Sequence, residues 1–320
     1  MDAACVRVVV SVSEPALSAR EFGELFAALS NWGRWGSDDE RGALHHLTPD
    51  RVVAAARLVR DGISVTLSLP LNTHPAINNP SPADHYMTAL SPVDTESGSL
   101  HFMKDYVGAD FHNDGHTHID ALCHIAYEGV MYNGRPADAV TADGASVNTI
   151  EVLKDGLIGR GVLLDIPRLH GVPWLEPGQN VLRDELEAAE RAQGVRVEPG
   201  DILLVRTGHA RRLTELGPWN TAKSKAGLHP TAMPFVAERG VSALGSDGNS
   251  DTAPSSTEGI GFPIHVLAIA AMGIHLLDYL QFEDLLARCE SAGRYEFLFA
   301  ATPLRVVGGT GSLLNPTAIF

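Results

Sequence analysis

The residues best suited to chemistry crowd into one short segment. It reads Phe111-His112-Asn113-Asp114-Gly115-His116-Thr117-His118-Ile119-Asp120-Ala121-Leu122-Cys123-His124 and holds four of the chain's 14 histidines. Side chains of an extended chain alternate between faces. An extended 112–120 therefore points His112, Asp114, His116, His118 and Asp120 the same way. Asn113, Gly115 and Thr117 supply no apolar face opposite, so core packing does not explain the row. Imidazole and carboxylate together suit Zn²⁺, Mn²⁺ or Fe²⁺. The plainer account is a solvated edge strand, but five ligating groups in register favour a metal. A bound divalent metal lowers the pKa of its water and polarises a carbonyl, as hydrolysis of an amide, imide or lactone requires. His124 falls outside the expected ligand set yet near it. An imidazole there can take a proton from water and return it to a leaving group. Cys123 adjoins His124, but neighbours on a strand face opposite ways, which argues against a Cys-His dyad.

The scaffold for these groups reads as α/β. Ser18, with Glu21 three residues on, makes a capping box before Phe22, Leu25, Phe26 and Leu29. Thr48-Pro49-Asp50 starts a second helix. Ile63 to Leu69 alternates as a strand, and 70–100 is a long loop rich in Pro, Asn, Ser and His. From 147 onward strands and helices alternate. Strands are expected at 161–166, 201–206, 241–244, 274–280 and 297–307, and helices at 183–191, 230–238, 263–272 and 282–288. With no repeat and no linker, 1–320 reads as one domain with an N-terminal helical extension over about 1–60.

Composition narrows the classes. The chain has 320 residues, with 24 Lys+Arg against 39 Asp+Glu, a net charge of −15. That balance argues against a nucleic-acid partner, which calls for a cationic footprint. Hydrophobic residues make up 44%, enough for a large core. The three cysteines, Cys5, Cys123 and Cys289, are far apart, so neither a disulfide framework nor a thiolate zinc site is expected. Val8-Val9-Val10 is too short for a signal peptide. The apolar stretch at 259–280 is broken by Pro263, His265, His275 and Asp278, so it is no membrane span. The expected compartment is the cytoplasm.

Gly115-His116-Thr117-His118-Ile119-Asp120-Ala121-Leu122-Cys123-His124, followed by Met131-Tyr132-Asn133-Gly134, resembles the metal-dependent cyclase family that includes bacterial kynurenine formamidase and isatin hydrolase. The Asn31-Trp32-Gly33-Arg34-Trp35-Gly36 segment, Gly200 to Gly208, Gly245-Ser246-Asp247 and the Gly309-Thr310-Gly311-Ser312 tail extend the resemblance over most of the chain, to a longer branch of that family. It implies a swivelling β/β/α-like domain, a central sheet or barrel flanked by helices, assembled as a homodimer or homotetramer. It implies His118 and Asp120 as metal ligands and His124 as the proton-transfer residue. The motif's first His falls at Asp114, its Gly at His116 and its Pro at Leu122, so the further ligand of this segment is His112 or His116, with Asp114 third. His265 and Asp278 match the family's C-terminal ligands, with Asp in place of Glu and one residue further along. The expected cofactor is one or two divalent ions per chain, Zn²⁺ or Mn²⁺.

Substrate contacts are expected from Trp32 and Trp35, which can stack on a planar molecule or pack in the core. Asn133 is a further candidate, although Asn-Gly is first a turn signal. Asp247, Ser250 and Asp251 follow a strand end, where α/β sites commonly lie. The expected function is a metal-dependent hydrolase of a small cyclic amide or lactone, or of an N-formyl amide. The alternatives are a metal-dependent cyclase or dehydratase of secondary metabolism, and a non-catalytic metal-binding protein. The expected partner is a small-molecule substrate, with no nucleic acid and no membrane.

Overall fold

Short runs of buried aliphatic residues build the centre of the molecule. The computed structural model describes residues 16–90 and 102–320. Cys5 and Val8-Val9-Val10 lie outside the described residues, as does part of the 70–100 loop. Four parallel strands, Leu157–Asp165, Ile202–Arg206, Ala243–Ser246 and His275–Asp278, lie side by side. Their side chains alternate between two cores. Val162, Leu164, Leu203, Leu244 and Leu276 pack on one face, and Leu163, Ile202, Leu204, Ala243 and Leu277 on the other. Burial on both faces is what near-continuous aliphatic strands in a parallel sheet require.

Antiparallel strands extend the sheet at both ends. Glu296–Ala301, Thr317–Ile319 and Ser64–Thr66 continue it beyond 157–165; His118–Asp120 and Gly311–Leu313 continue it beyond 275–278. The result is a strongly curled nine-stranded half-barrel flanked by helices. The expected elements from 157 onward are present within a few residues, except that the strand expected over 297–307 ends at Ala301, before Pro303, and two short strands follow it. The capping box at Ser18 is formed, with the Glu21 carboxylate accepting from Ser18 N–H at 2.9 Å. The helix expected over 263–272 runs as an α-turn at Pro263–His265 and then as a buried π-helix, Val266–Met272. Among the described residues no helix is long and apolar enough to cross a membrane.

Two local expectations change. The 70–100 region is not all loop: Asp84–Ala89 pairs antiparallel with Lys104–Gly108 as a hairpin exposed on both faces. With neither face buried, no alternation marked it. The segment 112–120 is not one strand either; only His118–Asp120 is extended. Before it, Asn113 Oδ1 accepts from Gly115 N–H at 2.7 Å, a side-chain turn that coils 112–116.

Candidate metal centre and active-site pocket

Sheet register makes the first contacts. His118 lies opposite Asp278, and Asp120 opposite Gly311. His118 and Asp120 share one face of their strand while Ile119 enters the core behind them. The tail strand fits only as glycine at 311, where a Cβ would sit 2.4 Å from the Ile119 carbonyl oxygen and 2.9 Å from His112 Cε1.

Asp120 is the hub. It is 0% exposed. Its Oδ1 lies 2.9 Å from His112 Nδ1 and 3.6 Å from His118 Nε2, and its Oδ2 lies 3.6 Å from His265 Nε2. Asp278 Oδ2 is 3.3 Å from the same His265 nitrogen. Yet neither Asp120 oxygen, nor His112 Nδ1, has an aligned hydrogen-bond partner among the described residues. Burial by itself would raise the Asp120 pKa, but His112, His124, His118 and His265 around it hold the carboxyl well below the usual range. A buried, ionised carboxylate without hydrogen-bond donors is strongly unfavourable unless a cation lies against it.

The far side of each ring is tied down. His118 Nδ1 donates to the His116 carbonyl at 2.8 Å, a contact that leaves the Nε2 lone pair facing the carboxylates. His265 Nδ1 meets Asp251 Oδ2 at 2.5 Å, and His112 Nε2 meets Thr310 Oγ1 at 3.0 Å. Asp278 accepts from Asn249 Nδ2 and Ser250 Oγ, each at 2.9 Å. Such outer hydrogen bonds orient metal-binding histidines and carboxylates. Two ligand groups share Asp120: His112, Asp120 and His124, and His118, Asp120 and Asp278; within each, the ligand atoms lie within 4.8 Å of one another. A set of imidazoles and carboxylates without thiolate fits Zn²⁺, Mn²⁺ or Fe²⁺.

His112 rather than His116 reaches the hub. The turn at 113–115 carries His116 into a separate wall, where it is buried beside Ser68, Leu69 and Thr117. His124, expected outside the ligand set, lies within one. Its ring stacks on His112 with centroids 3.8 Å apart and planes 7° apart, and burial pushes its pKa down to about 4. Cys123 points away and its thiol is pushed up to about 11 by burial, which suits no nucleophile. His112, His118, His124 and His265 line a pocket of about 230 Å³ together with Asp114, Ile125, Lys225, Phe262 and Tyr279.

The expected substrate contacts have other partners. Trp32 Nε1 donates to the Ala270 carbonyl at 2.7 Å and its ring packs edge-on to Phe26. Trp35 stacks on His45. Asn133 clamps the 33–39 loop, accepting from Gly33 N–H and donating to the carbonyls of Gly36, Ser37 and Asp39. Asp247 is buried under the Thr207-Gly208 turn. None of these four lines the pocket. Tyr279 does line it, although strand alternation would aim it away from Asp278. Its backbone adopts φ +55°, a left-handed conformation rare outside glycine, which breaks the alternation of the strand. No sequence pattern announces that kink. Thr310 had a signal in the glycine-rich tail, and Asp251 in its strand-end position.

The family model described as "Putative cyclase" matches residues 65–251. The chain belongs to the cyclase family. A solved structure described as a novel cyclase is 32% identical, covering 91% of this chain and 100% of its own, with a TM-score of 0.83. More distant cyclase-like folds include isatin hydrolase A from Labrenzia aggregata, solved with benzyl benzoate, at 20% identity, 84% of this chain, 97% of that one and a TM-score of 0.56. A predicted metal-dependent hydrolase from Bacillus stearothermophilus is 15% identical over 80% of this chain and 97% of that one, with a TM-score of 0.51. These two likenesses show a shared fold. No curated protein matches the chain.

Proposed function

We propose that this cyclase-family chain is a metal-dependent hydrolase of a small cyclic amide or lactone, or of an N-formyl aryl amine. His112, His118, Asp120, His265 and Asp278 would hold the metal, Zn²⁺ or Mn²⁺. When bound, the metal supplies a water of lowered pKa and polarises the scissile carbonyl. Asp251 and the His116 carbonyl hold the His265 and His118 rings in place. His124, which lines the pocket with its ring stacked on His112, would accept a proton from water at a ring nitrogen. It then returns that proton to the departing nitrogen or oxygen. Ile125 and Phe262 supply the apolar wall that a ring would pack against. By the family resemblance, the assembly is a homodimer or homotetramer.

The test combines elemental analysis with turnover of isatin, N-formylkynurenine and simple lactones, with and without chelator. The expected result is about one or two metal ions per chain and chelator-sensitive hydrolysis. A chain without stoichiometric metal would defeat the reading. So would inactivity on the whole panel alongside turnover of a polyketide-like ketone, which would favour a lyase. His124→Ala separates two roles: a proton carrier loses about 10²–10⁴-fold in kcat with metal retained, whereas a ligand loses the metal.

A further inference from the structure

Lys225 is the one Lys or Arg among the described residues lining the pocket. Its side chain is 4% exposed. No hydrogen bond reaches its Nζ among the described residues, and the nearest carboxylate oxygen, Asp114 Oδ1, is 4.0 Å away, at the outer limit of an ion pair. Asp114 is already occupied, accepting from the hydroxyls of Tyr279 and Thr221. The other neighbour of the ammonium is the Phe262 ring, 5.6 Å from Nζ to the centroid. An ammonium has three donors, and those of Lys225 open onto the pocket.

The placement is rigid. Lys225 exchanges backbone hydrogen bonds with Ala253 in both directions, each 3.0 Å, and its carbonyl also accepts from Gly178 at 3.1 Å. The same short stretch that anchors Lys225 follows directly on Asp251, the partner of His265. Lys225 is thus presented to the pocket by a segment tied to the metal-ligand scaffold, with its stem buried and its donors free. A positive group so held matches an anionic group on whatever occupies the pocket.

We propose that Lys225 binds a carboxylate carried by the substrate, and that the substrate is a small aromatic or cyclic amide or ester bearing that carboxylate beside its scissile bond. The ring would lie against Phe262 and Ile125. This rests on the reading of the pocket as the substrate site of a hydrolase.

Calorimetric titration of the metal-loaded full chain with benzoate and with benzamide, its neutral counterpart, tests the subsite without turnover. Wild type should bind benzoate at least about tenfold more tightly than benzamide. Lys225→Met should erase that preference, and Lys225→Arg should keep most of it, with metal content equal in all three. Equal benzoate affinity in wild type and Lys225→Met would overturn the proposal and place the carboxylate on the metal. A wild type without preference for benzoate would overturn it as well, and that comparison stands even if Lys225→Met does not fold. In turnover, the kcat/KM ratio of N-formylanthranilate to formanilide should fall about tenfold in Lys225→Met. An unchanged ratio would assign Lys225 to the carboxylate formed at the scissile bond instead and overturn the substrate class. Absence of all turnover, with the benzoate preference intact, would defeat the hydrolase reading and leave the anion subsite standing.

Discussion

Asp120 and Asp247 are both 0% exposed aspartates at strand ends of the same sheet, and they are opposites. Asp247 is saturated with donors: Thr207 N–H at 2.7 Å, Thr207 Oγ1 at 2.9 Å and Gly208 N–H at 2.8 Å. Asp120 has no aligned donor; the imidazole nitrogens of His112, His118 and His265 surround it, with the Asp278 carboxylate close by. Burial raises the Asp247 pKa, and Arg206 and the donors only partly oppose it; at Asp120 the ring of histidines overcomes burial and lowers it. Burial alone therefore does not separate a working carboxylate from a structural one. What separates them is whether the fold has already supplied hydrogen-bond donors.

The contrast can be broken most forcefully at Asp120. Asp120→Asn should cost metal affinity more than the ~10–100-fold typical of outer partners, while leaving the stability of the metal-free chain unchanged or higher. Elemental analysis and urea denaturation read the two effects, and retention of full metal would dissolve the distinction. Asp247→Ala should do the reverse. Unmatched Thr207 and Gly208 amides should lower stability by about 2–4 kcal/mol with metal per folded chain intact; a stable variant that had lost metal would move Asp247 into the centre.

Asp251→Asn should be milder, because it touches the metal only through His265. A loss of ~10–100-fold in metal affinity is expected, measured by competition with a chelator, and no loss would remove Asp251 from its orienting role. The smallest effect is a proton count. Burial disfavours charge on His265, but Asp251 and Asp278 hold its pKa well above the ordinary value in the metal-free chain. The charged ring stabilises that chain fully below the unfolded histidine pKa of about 6.5, and this is lost as pH rises through the raised folded value. A metal needs the ring neutral, so binding at pH 7 should release about one proton and tighten as pH rises. Calorimetry in two buffers of different ionisation heat would show this, and zero release would contradict it.

Much of the centre was legible in advance because ligand chemistry is a property of residue type. His118 and Asp120, two apart, came from residue type and spacing, and His265 and Asp278 from the family resemblance; the fold brings all four together. Their immediate supports were partly legible, since Ser250 and Asp251 follow a strand end. The row over 112–120 was not, because the Asn113 side-chain turn overrode alternation and sent His112 and His116 to different walls. Trp32, Trp35 and Asn133 looked equally suited to a ligand, yet Trp32 and Asn133 are engaged by backbone carbonyls far away in sequence and Trp35 stacks on His45.

The sequence by itself determined most elements from 157 onward, their buried aliphatic runs and the ligand types, since these depend on local spacing and on the chemistry of single residues. Only the tertiary structure decided which histidine meets Asp120, that Tyr279 turns into the pocket beside Asp278, and that Lys225 stands there with its donors unmatched. Each of those depends on register, on one left-handed backbone angle or on contacts between distant segments, and none of these leaves a periodic mark in the chain.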